Sequence, residues 1–98
     1  MSSGEPSTLA LGGALVAGRL RDVHGAMRAR VEAGGDVCVE AGGVEGIDAG
    51  GLQLLVAFRR ALEGQGRRCT WVSRSDALVV AARRLGLERL VFGAEATP

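Results

Sequence analysis

The stretch from Val37 to Leu55, VCVEAGGVEGIDAGGLQLL, decides how this chain folds. Asp36 to Ala41 has the apolar content of a short buried strand. Gly42 to Ile47 is rich in glycine and reads as a turn. Asp48 then fits a helix N-cap, because its carboxylate can accept from backbone N–H groups of the first turn. A negative charge there also suits the helix dipole. The helix that follows carries one apolar stripe at Leu52, Leu55, Val56 and Leu62 and a second at Leu54 and Phe58. A helix apolar on two sides should be packed between neighbours rather than lie on a surface. It stops at Gly64-Gln65-Gly66.

Working outward, Cys69 to Ser73 forms a second strand, which makes a strand–helix–strand unit with parallel strands. Ser75 or Asp76 caps a further helix with Leu78, Val79, Ala82 and Leu85 as its core stripe and Gly86 as its stop. Leu87, Leu90, Val91 and Phe92 make a last apolar piece, expected as a short edge strand. On the N-terminal side, Leu20, Val23, Met27 and Val31 fall at helical spacing, and Gly34-Gly35 ends that helix. Before it, Thr8–Leu11 and Ala14–Ala17 flank Gly12-Gly13 and fit either one bent strand or a tight hairpin. The order predicts one small α/β domain over residues 8–92, with helices packed on a mixed sheet. Residues 1–7 and 93–98 are expected as tails, the first of them disordered.

A chain of 98 residues suits a single domain. Aromatic residues are only 3% of it, so Leu, Val and Ala must fill the core. The formal net charge of +1 argues against a general nucleic-acid binder. The charge is uneven: residues 1–58 hold four Arg and seven acids, whereas residues 59–89 hold eight Arg and three acids. There is no Lys. Two readings of the arginines stay open, solvated helix faces or a face for an acidic partner. The polar N-terminus lacks a signal-peptide pattern, and no apolar run is long enough to span a membrane, so a cytoplasmic protein without membrane insertion is expected. Cys38 and Cys69 lack metal-ligand spacing and should both be reduced. The sheet edges near Leu9–Leu11 and Val91 leave a homodimer possible.

Catalytic groups are scarce. His24 is the single histidine and sits in a helix among polar neighbours. A mid-strand Cys38 should be inert. The glycines at 42, 43, 46, 50 and 51 match neither a dinucleotide fingerprint nor a phosphate loop, and Asp48 would repel a phosphate at the helix start. No enzyme activity and no cofactor is expected. Ala49, Gly50 and Gly51 leave the helix start nearly bare. Either a partner approaches the backbone closely there, or small residues let the helix pack on the sheet.

The turn and helix resemble the STAS domain family, the anti-sigma-factor-antagonist fold, through Val44, Ile47, Asp48, Gly51 and Leu52, continuing into Gln53-Leu54-Leu55. Gly13-Ala14-Leu15, the helix Leu20–Ala33, the strand Cys69–Ser73 and Leu85-Gly86-Leu87 follow in family order over roughly residues 8 to 92. The resemblance implies a non-enzymatic switch that a kinase partner phosphorylates at a Ser or Thr just after the Asp. This chain has Ala49 and Gly50 there, and neither can accept a phosphate. Ser73 and Ser75 remain as hydroxyls near the end of the next strand, but they are not at the motif. The resemblance therefore points to partner binding through Gly46, Asp48, Ala49, Gly50, Gly51 and Leu52, without the usual phosphorylation lever. The partner would be an anti-sigma kinase-like protein or a chemotaxis-like signalling component. The alternative is an accessory subunit of an ABC-type lipid transporter, touching its ATPase with the same surface. On either reading Gly51→Arg is expected to block binding and leave the fold largely intact.

Overall fold

The computed structural model describes residues 5–93. Strand β1 (Ser7–Leu15) leads through a 3-10 turn (Ala17–Arg19) into helix α1 (Leu20–Ala33). Strand β2 (Val37–Ile47), helix α2 (Ala49–Glu63) and strand β3 (Cys69–Arg74) follow, then helices α3 (Asp76–Arg84) and α4 (Glu88–Phe92). The three strands lie in the order β1-β2-β3 and both pairings are parallel.

The α/β class with helices packed on a sheet is as read from the sequence. The sheet of the described residues is all parallel rather than mixed, because the last apolar piece is helical and adds no edge strand. Gly86, at φ +68°, turns the chain out of α3, and the Val91 amide bonds the Leu87 carbonyl. Arg59 of α2 then reaches across to the carbonyls of Leu90 and Arg89. Phe92 is held edge-on against Trp71, with ring centroids 4.8 Å apart.

Of the two readings at Gly12-Gly13, the single strand holds: β1 runs through it, with shifts in register between Ala10 and Gly12 and again between Gly13 and Ala14. One other local expectation changes. The supposed turn at Gly42–Ile47 is the second half of β2, because β1 offers it a partner: Gly12 pairs with Gly43, Gly13 with Val44 and Leu15 with Ile47. A glycine-rich segment reads as a turn locally, yet a neighbouring strand can hold it extended. Of the tail expected at residues 1–7, Ser7 instead opens β1, Glu5 and Pro6 are exposed without regular structure, and residues 1–4 lie outside the described residues. Of the tail expected at 93–98, residues 94–98 lie outside them too.

One core holds the domain together. Leu9, Leu11, Leu15, Val37, Val39, Ala41, Val44 and Trp71 enter it from the sheet. Val23 and Met27 of α1, five residues of α2, Leu78 and Ala82 of α3 and Val91 and Phe92 of α4 enter it from the helices. The alternate strand positions Thr8, Ala10, Glu40, Thr70 and Val72 are exposed. Helices thus cover one face of the sheet, and the strands show a period of two rather than the continuous apolar runs usual for parallel sheets. Cys38 and Cys69 occupy opposite faces, since Val37 pairs with Cys69 in register, and no disulfide joins them. The two apolar stripes of α2 are both used: Leu52, Leu55 and Leu62 reach the core, while Leu54 and Phe58 line a groove against Met27 and Val31 of α1.

The arginines have a job that composition did not reveal. Arg67 donates to the carbonyls of Arg30 and Val31, at the end of α1, and to that of Gly35. Arg59 caps α4 in the same manner. Arg30 and Arg19 bond the carbonyls of Thr8 and Gly12 on the edge strand β1. Four guanidinium groups therefore serve backbone carbonyls at helix ends and a sheet edge, where cations are favoured. The acidic-partner reading is narrowed to those that remain.

Candidate functional site

The site is built at the point where β2 ends and α2 begins. Asp48 is extended, at φ −99° and ψ 179°, which aims its side chain back along the helix start. One carboxylate oxygen accepts from the Gly51 amide at 2.9 Å, the capping bond the sequence implied. The other accepts from the Ala17 amide at 3.2 Å, and Asp48 donates its own N–H to the Leu15 carbonyl at 3.3 Å. Asp48 thus ties the β1–α1 connection to the start of α2. Sequence spacing gave no hint of this second bond, because its partners are 31 positions apart.

The two readings of the small residues divide between them. Gly51 is a packing glycine: a Cβ built there would lie 2.5 Å from the Leu15 carbonyl oxygen and 2.7 Å from Cγ1 of Ile47. It is buried, as is Leu52, which has no exposure at all. Ala49 and Gly50 are exposed, and Gly46 and Asp48 are half-buried. Ala49 and Gly50 are therefore the members of the predicted set that an approaching surface meets first. The expectation that Gly51→Arg leaves the fold intact is corrected here, since even its Cβ has no room against main-chain oxygen.

Neither nearby serine stands idle. The Ser73 hydroxyl accepts from the Gly42 amide at 3.1 Å and so fastens β3 to β2. Ser75 is the N-cap of α3, accepting from the Leu78 amide at 3.1 Å. His24 is exposed on α1, beside the groove between α1 and α2. It is not near the Asp48 turn.

Beside the turn lies a groove that the sequence reading missed, formed between the start of α2 and the outer side of α3. Gly46 and Ile47 at the end of β2 and Leu52 of α2 line it from one side, and Ala77, Val80, Ala81, Arg84 and Leu85 from the other. Leu85 was expected in the α3 core stripe. It is instead 53% exposed, because it is the C-cap residue, where the chain leaves helical geometry on its way to Gly86.

Residues 1–92 match the family described as Mlab, STAS domain. The chain belongs to the STAS domain family. No curated protein matches it. STAS domains are regulatory or binding modules and commonly bind regulatory proteins; they are generally not enzymes. In this STAS domain, no helix among the described residues is long and apolar enough to cross a membrane. Nor do three or more His, Cys, Asp or Glu side chains of those residues gather as metal ligands would.

Proposed function

We propose that this STAS domain is a non-enzymatic regulatory module that docks a partner protein in the cytoplasm through the turn and helix start at 48–52, with Ala49 and Gly50 as the residues the partner meets. The observation that carries this reading is the bare helix start: Ala49 and Gly50 are exposed, while two bonds to the Asp48 carboxylate hold the backbone around them in place. A fixed, uncovered first turn lets another main chain approach closely and asks little ordering of the module on binding. The partner is an anti-sigma kinase-like protein or a chemotaxis-like signalling component.

The absence of a hydroxyl at 49 and 50 favours a second reading. A phosphate at this turn would add about −1.5 to −2 of charge and break an interface. Without that lever the module stays docked, as befits an accessory subunit of an ABC-type lipid transporter held against its ATPase. Neighbouring genes discriminate, since a histidine-kinase or sigma-factor operon fits signalling and an ATPase–permease pair fits transport.

The test is a pull-down from native cytosol with the wild type and Ala49→Arg side by side. Position 49 is exposed, so the arginine keeps the fold and covers the turn. The same partner captured equally by both, with unchanged circular dichroism, would remove the exposed helix start from the interface. Incubation with a cognate kinase should leave residues 48–52 unmodified. A phosphopeptide mapped to Ser75 would move the switch rather than remove it, at the expense of the α3 cap.

A further inference from the structure

We propose that the groove between α2 and α3 receives a branched apolar side chain from a segment of the partner protein, and that Arg84 binds a carboxylate beside it. This rests on the docking reading of the Asp48 turn and specifies the chemistry of what docks. The described residues leave five large apolar side chains exposed, and three of them surround this turn. Val80 and Leu85, 45% and 53% exposed, form one wall of the groove. Val16, 38% exposed, lies on the other flank, next to the Ala17 amide that Asp48 holds. The opposite wall is Ile47 and the fully buried Leu52. The groove is open to solvent and offers about 350 Å³, room for a branched side chain and its neighbour.

Charge selects the occupant. Arg83 is already paired with Glu88 at 3.0 Å. Arg84 lines the groove and has no ionic partner among the described residues. An arginine beside an apolar groove supplies the anchor of an interface hot spot once a partner excludes water from it, and it binds a carboxylate with two parallel bonds. A peptide segment with Leu, Ile or Val next to Asp or Glu meets both demands. A second copy of this chain is the competing occupant, which the test includes.

The experiment pans a random peptide library displayed on phage against the immobilised full chain, then measures the enriched peptides against variants whose fold is checked by circular dichroism. Enrichment of peptides that combine a branched apolar residue with Asp or Glu is expected. Leu85→Glu and Val80→Glu should weaken them by about tenfold or more. Arg84→Glu should weaken them too, and replacing the peptide acid by Lys should recover binding to that variant alone. No enriched peptide, enrichment without an acidic bias, or binding indifferent to these three substitutions would overturn the proposal. So would a concentration-dependent dimer of the free chain that Leu85→Glu dissolves. In the cytosolic pull-down, a partner lost with Ala49→Arg but kept with Leu85→Glu sinks the groove and spares the docking turn. The converse result spares the groove and sinks the turn.

Discussion

Replacing Gly51 by alanine sets two effects of opposite sign against each other. Alanine is the better helix former, by up to about 1 kcal/mol in a helix interior and less in a first turn. Against this, the new Cβ would sit 2.5 Å from the Leu15 carbonyl oxygen and 2.7 Å from Cγ1 of Ile47. Neither neighbour can yield freely. The Leu15 carbonyl accepts from the Asp48 amide, and Leu15 itself is 1% exposed in the core. Moving α2 off the sheet would strain the capping bond from Gly51 to Asp48. Overpacking of this kind costs about 1–3 kcal/mol. Sterics therefore win, and a net loss of about 1–2 kcal/mol is expected, which lowers Tm by about 5–15 °C in a domain of this size. The internal control is Gly25→Ala. Gly25 is exposed within α1, and its added Cβ meets nothing within 4 Å. That change should stabilise by about 0.5–1 kcal/mol. Urea denaturation followed by circular dichroism measures both. A Gly51→Ala protein as stable as the wild type would refute the steric argument, and with it the assignment of Gly51 to packing rather than to docking.

Arg67→Met removes three charge-assisted bonds to carbonyls around the end of α1 and should cost about 1.5–3 kcal/mol in the same assay; Arg67→Lys should recover only part, because an ammonium cannot span the three acceptors as the planar fork does. Asp48→Ala loses the cap and the Ala17 bond together and should cost about 2–3 kcal/mol, whereas Asp48→Asn keeps one acceptor oxygen and should cost about 1 kcal/mol. Amide exchange resolves the two bonds: in Asp48→Asn, Gly51 should stay protected while Ala17 exchanges faster. Arg19→Ala with Arg30→Ala uncovers the Thr8 and Gly12 carbonyls on the edge of the sheet. The double variant should self-associate more than the wild type in sedimentation velocity, and equal behaviour would mean that these arginines do not guard the edge.

Local chemistry was legible where the chain settles its own hydrogen bonds. Asp48 caps α2 as read, Ser75 is the one of the two candidates that caps α3, and Gly34, Gly66 and Gly86 end elements at positive φ, because each acts within a turn of itself. The errors fall where a distant segment decides. Gly42–Ile47 looks like a turn until β1 pairs with it, and Leu87–Phe92 looks like a strand until Arg59 and Trp71 hold it as a helix. In the candidate site, the motif residues were visible but their division of labour was not. A glycine that packs and a glycine that faces a partner are the same letter, and only the position of the Leu15 carbonyl separates Gly51 from Gly50.

The sequence by itself determined the alternation of strands and helices, the capped start of α2, the family and the loss of hydroxyls at 49 and 50. Hydrophobic period and caps are short-range, so one chain of letters suffices for them. Only the tertiary structure decided that the described sheet is wholly parallel, that Arg19, Arg30, Arg59 and Arg67 serve backbone carbonyls, and that a groove flanks the docking turn. These depend on which surfaces meet in three dimensions, as in the bonds of Arg59 and Arg67 that span 30 to 37 positions of sequence, and packing sets that.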